Sequence, residues 1–142
     1  MTRLWIHEVS RVFHDRLVNE EDREWFKESL MELLSANFRV NWTLEEVFHQ
    51  KTIYFSDLMK LDFPEKTYEE IKDVKKLIKV LEDKLDEYNA ELTPMKLVFF
   101  TDAIDHILRI VRVLRQPRGN MMLIGVGGCG KQSLTSLSSY LY

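Results

Sequence analysis

Near the end of the chain, a short apolar run leads directly into a glycine-rich loop and then into a helical pattern. Met121 to Ile124 are continuously apolar, as expected of a strand buried on both faces of a parallel sheet. Gly125 to Lys131 then have the spacing G-x-x-x-x-G-K of a Walker A loop. Leu134, Leu137 and Leu141 follow at helical spacing. Strand, loop and helix in this order predict an α/β P-loop fold for the end of the chain.

Each part of this loop has a physical role in binding phosphate. Gly125 and Gly130 permit backbone geometry that a side chain would disfavour. Gly127 and Gly128 let the main chain approach a ligand rich in oxygen atoms. The backbone N–H groups and the N-terminus of the following helix attract an anion, and Lys131 would reach the β- and γ-phosphates. We therefore predict binding of ATP or ADP, and the alternative of a plain glycine-rich turn is disfavoured.

The position after the lysine departs from the general motif. A P-loop normally has Ser or Thr there, whose hydroxyl holds Mg²⁺, whereas this chain has Gln132. Ser133 is one residue further along, which turns it by about 100° around a helix. An amide oxygen could still hold the metal, directly or through water. The sequence therefore predicts nucleotide binding, with Mg²⁺ as an optional cofactor, and puts metal-dependent hydrolysis in doubt.

The residues that P-loop proteins use for hydrolysis are not expected in this chain. Acidic residues that bind Mg²⁺ and activate water lie on a later strand in such proteins, and eleven residues follow Lys131. We predict no catalytic residues and no ATP turnover by the chain alone, which disfavours a small independent kinase or NTPase. A first strand without partners should also expose an edge.

The first sixty residues predict a small helical bundle. Apolar residues recur at helical spacing from Leu4 to Leu17. Asn19 with Asp22 resembles an N-terminal cap, and Thr43 with Glu46 forms a capping box. A brief strand is expected from Ile53 to Phe55. We assign residues 1–60 to this helical domain.

Residues 61–93 predict a connecting helix. Asp62 to Glu65 suggest a turn, and Thr67 with Glu70 suggests a second capping box. A heptad-like apolar stripe then runs from Ile71 to Tyr88. A coiled-coil partner site is disfavoured, because the stripe is shorter than the three or four heptads that sustained coiled coils need. Residues 94–142 form the third predicted domain, with a helix capped by Thr101 before the phosphate loop.

Composition and charge exclude several other classes. Residues 1–60, 61–94 and 95–142 carry net charges of −3, −4 and +4, and no aromatic-interleaved basic stripe indicates nucleic-acid binding. The apolar runs are shorter than the roughly 20 residues of a membrane span, and no signal peptide is evident. One cysteine, Cys129, excludes an internal disulfide and favours a reducing compartment. The four histidines lack the spacing of a zinc site, so no metal ligands are predicted.

Several segments together resemble dynein heavy chains. They are Pro94 to His106, Gln116 to Asn120, and the loop from Gly125 to Leu134, which includes the unusual Gln132. This part resembles the entry to the fourth AAA+ module of the motor ring. The opening residues, Arg3 to Glu8 with Arg11 to Phe13 and Asp15 to Leu17, resemble the helical lid that ends the third module. The fold class that this implies is an α/β AAA+ P-loop fragment: mostly helical, with a lid bundle followed by the first strand, loop and helix of a parallel-sheet module.

The resemblance implies part of a microtubule minus-end-directed motor, axonemal rather than cytoplasmic, located in the cytoplasm, the cytoskeleton and the ciliary axoneme. Its partners would be the other AAA+ modules of the ring, microtubules, and dynein intermediate and light chains, with no nucleic acid and no membrane. An alternative is a non-catalytic helical interaction fragment with a vestigial P-loop. Leu97 and Val98 would lie near the adenine. The phosphate-binding residues that the resemblance implies are Gly125, Val126, Gly127, Gly128, Cys129, Gly130, Lys131, Gln132 and Ser133.

Overall fold

The computed structural model describes residues 1–48, 53–61 and 66–142. The chain divides into two compact units, Met1–Phe55 and Ser56–Tyr142. The three-part division expected from the sequence stays a prediction. In the described parts of the chain, no helix has the length and apolar character needed to cross a membrane.

The described residues of the first unit form three α-helices, and the second and third begin at capping side chains. They are α1 (Thr2–Val12), α2 (Glu20–Phe38) and α3 (Leu44–Phe48), with a 3₁₀ turn at His14–Arg16. The Asn19 side chain accepts a hydrogen bond from the backbone N–H of Asp22 at 3.2 Å. Thr43 and Glu46 bond each other's backbone N–H groups at 2.7 and 3.2 Å. Both predicted caps are therefore confirmed.

The core of the first unit is small and includes a histidine. Ile6, Leu30, Leu34 and Val47 are almost completely buried. His7 is buried as well, and its Nδ1 lies 2.7 Å from the backbone oxygen of Ile53. A buried ring nitrogen needs such a partner. His7 thus joins α1 to the end of the same unit as a packing residue.

The described residues of the second unit contain a short strand and three α-helices, and the strand that pairs with this strand includes the boundary residues Phe55 and Ser56. Strand β1 (Phe55–Ser56) pairs with β2 (Glu69–Glu70), with a 3₁₀ turn at Leu58–Lys60 between them, and α4 (Val74–Glu91), α5 (Thr101–Leu114) and α6 (Lys131–Leu141) follow. The strand expected at Ile53–Phe55 is thus β1, shifted by about two residues, and the turn expected at residues 62–65 lies outside the described residues.

Two predicted caps in this unit are wrong. Glu70 lies in β2, so Thr67 and Glu70 do not cap a helix. The α4 helix begins later, where the Asp73 carboxylate accepts hydrogen bonds from the N–H groups of Lys75 and Lys76. Thr101 is the first residue of α5 rather than its cap, and no side chain caps that end. At Glu70, the pairing of β2 with β1 outweighed the local capping signal.

The core of the second unit forms where α6 packs against α5 and α4. Because these helices are amphipathic, each buries one face. The buried stripe of α4 passes through Leu77, and the neighbouring Ile78 is only half-buried. A single packed helix, rather than a coiled-coil partner site, therefore explains the stripe. The buried apolar side chains are Leu77, Leu81, Leu85 and Tyr88 of α4, Ala103, Ile104, Ile107, Leu108, Ile110 and Val111 of α5, and Leu134, Leu137 and Leu141 of α6.

The strand predicted at residues 121–124 is not formed. The segment has no regular secondary structure, and Met122 and Ile124 are 81% and 84% exposed. A strand is stable only when a neighbouring strand accepts and donates its backbone hydrogen bonds. Among the described residues, the only sheet pairs β1 with β2. The apolar run is therefore exposed rather than buried.

Candidate nucleotide-binding site

The glycine-rich loop lies at the N-terminus of a well-anchored helix. Leu134 and Leu137 bury α6 against the rest of the second unit, and the first helical hydrogen bond runs from Leu134 N–H to the Gly130 oxygen at 2.9 Å. The cap residue is Gly130, which has no side chain to accept hydrogen bonds from the first N–H groups of the helix. The first N–H groups of a helix have no partner within it. The packing of α6 therefore presents these donors beside the loop.

Two glycines shape the loop through backbone conformations that favour glycine. Gly128 has φ 78° and Gly130 has φ 81°, both in the left-handed region. Gly125 was expected to adopt a backbone conformation that favours glycine, but its φ is not in the left-handed region. A Cβ at Gly125 would lie 3.0 Å from the Cys129 sulfur. Close packing of the loop on itself, rather than backbone conformation, thus favours glycine at position 125.

Lys131 folds back over the loop. Its ammonium donates hydrogen bonds to the backbone oxygens of Gly125 at 2.8 Å and Val126 at 2.7 Å. It also lies 3.2 Å from the Cys129 sulfur. These contacts hold one positive charge close to the exposed main chain of residues 125–129. The structure thus brings together the lysine and the two ends of the loop, as the motif predicts.

The contact with Lys131 lowers the pKa of the Cys129 thiol below its ordinary value of 9.0. The ammonium donates to the sulfur and so favours the thiolate. We expect the rate of alkylation of Cys129 by iodoacetamide to reach half its maximum at a pH below 9.0. In Lys131→Ala this midpoint should rise, because the donor is lost. An unchanged midpoint, measured by mass spectrometry over a pH series, would contradict this interaction.

The other predicted site residues lie in the first turn of α6 and in the segment before α5. Gln132 is exposed on the first turn of α6, and Ser133 is half-buried. Leu97 is half-buried and Val98 is 77% exposed, both in the segment before α5. Their proximity to an adenine stays a prediction.

Asn89 anchors the segment that carries Leu97 and Val98. The sequence did not indicate this role of Asn89. Its side-chain amide donates to the Met95 oxygen at 3.0 Å, and its side-chain oxygen accepts from the Met95 N–H at 2.8 Å. The Asn89 side chain thus bonds both the N–H and the oxygen of Met95, as a residue of a neighbouring strand does in a β-sheet. An asparagine near the end of a helix is too common a feature to reveal such a role.

Comparison with known proteins gives matches at both ends of the chain. Residues 95–142 match a family described as the P-loop containing dynein motor region D4. Residues 1–42 match a family described as the AAA+ lid domain. The expected fold class, a helical lid followed by a P-loop segment, is confirmed by these matches.

Curated relatives align over almost the whole chain. Dynein axonemal heavy chain 6 of Homo sapiens is 46% identical over 98% of this chain. Dynein axonemal heavy chain 1 of Mus musculus is 45% identical over 99% of it, and dynein axonemal heavy chain 3 of Homo sapiens is 41% identical over 98%. The chain spans only 3% to 4% of the length of these relatives.

Proposed function

This chain is a homologue of the axonemal dynein heavy chains over nearly its whole length, and we propose that it binds ATP or ADP through residues 125–133. The observation that carries the proposal is the arrangement of Lys131 and the loop at the N-terminus of α6. An ammonium group, two left-handed glycines and uncapped helical N–H groups meet in one exposed place. Together these are donors and a positive charge suited to a polyphosphate.

The residues fit a phosphate chain chemically. The backbone N–H groups of the loop and of the first turn of α6 would donate to phosphate oxygens. Lys131 would exchange its bonds to the oxygens of Gly125 and Val126 for bonds to the β- and γ-phosphates. The net charge of +4 on residues 95–142 favours an anion over a neutral ligand. Leu97 and Val98 would contact the base.

Binding without hydrolysis by this segment is the second part of the proposal. Gln132 takes the place of the hydroxyl that holds Mg²⁺ in a P-loop, and no acidic residue occurs between positions 132 and 142. If present, Mg²⁺ would be held by the phosphates with the Gln132 amide oxygen. We expect no phosphate release above the buffer rate when the chain is incubated with ATP and Mg²⁺. Steady release that Lys131→Ala abolishes would contradict this part.

Titration with a fluorescent ATP analogue tests nucleotide binding directly. We expect saturable binding by the wild-type chain. We also expect that Lys131→Ala weakens it roughly tenfold or more, because a hydrogen bond to a charged group contributes about 1.5–3 kcal/mol. Lys79→Ala is the matched control, since Lys79 is exposed on α4 and remote in sequence from the loop. Circular dichroism would verify that each variant is folded.

Two outcomes of this titration would reject nucleotide binding. One is negligible binding by the wild-type chain, and the other is equal affinity of the wild-type, Lys131→Ala and Lys79→Ala proteins. Either result would favour the alternative, a helical interaction fragment whose P-loop is vestigial.

For the longer polypeptide, we propose a motor of the ciliary axoneme that moves toward microtubule minus ends. Residues 1–60 would close the third module of its AAA+ ring, residues 61–93 would connect the modules, and residues 94–142 would open the fourth. Its partners would be the other ring modules, microtubules, and intermediate and light chains. An antibody against residues 72–90 should detect a band of several hundred kilodaltons in extracts of ciliated tissue. A band near 17 kDa alone would contradict membership of a large motor.

A further inference from the structure

The first unit contains an apolar groove that is open to solvent. It has a volume of about 840 Å³ and lies between α2 on one side and α1 with the turn that follows it on the other. Its lining is mostly apolar and includes two tryptophans, Trp5 and Trp25. All of its lining residues lie between positions 5 and 33, so none belongs to the phosphate loop.

Several large side chains in this groove are exposed to water. Val18 is 91% exposed, Trp25 66% and Phe13 59%. The apolar residues of α2 are thus divided, with Leu30 and Leu34 in the core and Trp25 and Leu33 outside it. Scattered exposed apolar residues are normal, but a continuous apolar surface of this kind indicates an interaction site.

One edge of the groove is acidic. Glu21, Glu28 and Glu32 are exposed on α2. Glu21 lies four residues before Trp25, and Glu28 and Glu32 lie three and seven residues after it. Residues three and four apart are neighbours on the surface of a helix, so Glu21 and Glu28 lie beside the exposed indole. Glu32 follows two turns after Trp25 along the same side of α2. Across α2 as a whole there are six acidic and two basic residues, a net charge of −4. The groove therefore combines a mostly apolar lining, in which Arg16 and Asp22 are the charged members, with a negative border along α2.

We propose that this groove binds an amphipathic α-helix that carries lysine or arginine along one side of its apolar face. Two helices that leave an open apolar groove are completed by a third helix packed into it. The part of α2 that lines the groove, Asp22 to Leu33, is about 17 Å long at 1.5 Å per residue, enough for three turns of a partner. The carboxylates around Trp25 select a basic partner and disfavour an acidic one.

Two synthetic helical peptides of matched design test the proposal on the full chain. Both carry leucines at positions a and d over three heptads, and the residues beside this stripe are lysine in one peptide and glutamate in the other. Isothermal titration at 50 mM salt is expected to give at least tenfold tighter binding of the lysine peptide. That preference should shrink as salt rises, because exposed charges are screened.

Two variants test whether the lysine peptide binds in the groove. Trp25→Asp should abolish binding of the lysine peptide and is expected to fold, since Trp25 is largely exposed. The triple change E21K/E28K/E32K should reverse the preference toward the glutamate peptide. The control is E82K/D83K, which alters two exposed acidic residues on α4 and should leave binding unchanged. Circular dichroism again verifies folding.

Other occupants would give different results. Equal binding of both peptides, or full binding by Trp25→Asp, would overturn the proposal. Sedimentation that shows a dimer dispersed by Trp25→Asp would assign the groove to a second copy of this chain. Binding to uncharged phosphatidylcholine vesicles in preference to the lysine peptide would assign it to a lipid surface. None of these outcomes depends on nucleotide, so this proposal and the nucleotide proposal fail independently.

Discussion

Gly119→Ala is expected to lower the free energy of unfolding by more than about 2 kcal/mol. A Cβ at this position would lie 1.9 Å from the backbone oxygen of Val113 and 3.0 Å from that of Gln116. Both are main-chain atoms, one in the last turn of α5 and one in the turn that follows it, so no side-chain rotation can relieve the clash. The N–H of Gly119 also donates to the Gln116 oxygen at 2.8 Å, and movement away from Val113 would lengthen this bond.

Gly127→Ala is the matched control for this prediction. Nothing lies within 4 Å of a Cβ built at Gly127, and its φ is not in the left-handed region. We expect a change of less than about 1 kcal/mol, since alanine at a compatible position alters mainly the entropy of the unfolded chain. Urea unfolding followed by circular dichroism measures both variants. Equal stabilities for the two would show that the turn after α5 is not packed as described.

Ile107→Ala is expected to destabilise the chain by about 2–5 kcal/mol. The Ile107 side chain is completely buried on α5, the helix against which α6 packs. Removing its outer carbons loses the transfer free energy of the apolar atoms and leaves a cavity in a densely packed core. Because α6 carries Lys131 at its first position, looser packing here should also weaken nucleotide binding.

Ile124→Ala makes the same chemical change at an exposed position and serves as the control. Ile124 is 84% exposed, so the loss of apolar contacts is expected to cost less than about 0.5 kcal/mol. Thermal unfolding of both variants gives the comparison. A similar loss from the two substitutions would mean that residues 121–124 are packed in solution, as their apolar character predicts and the structure does not show.

Local signals in the sequence were reliable where the interacting groups are close together along the chain. The caps at Asn19 and at Thr43 need only residues three positions apart, and the structure contains both. The order and spacing of Gly128, Gly130 and Lys131 likewise define the loop, because these residues impose its backbone conformation and its charge. The spacing of Leu134, Leu137 and Leu141 also predicted the helix α6, and the structure buries all three side chains.

Predictions failed where the outcome depended on groups distant in sequence. Glu70 is in a strand rather than a helix cap because β2 pairs with β1, and the Glu69 carboxylate lies 2.8 Å from the Lys60 ammonium. The run at Met121 to Ile124 has the composition of a buried strand, but burial requires neighbouring strands, and these side chains are exposed.

The glycine-rich loop, the caps of α2 and α3 and the homology to axonemal dynein heavy chains follow from the amino-acid sequence. Which apolar faces are covered depends on tertiary packing. On α2, periodicity cannot distinguish Leu30 and Leu34, which enter the core, from Trp25 and Leu33, which line the open groove. The reason is physical: periodicity describes the surface of one helix, whereas burial depends on what packs against that surface.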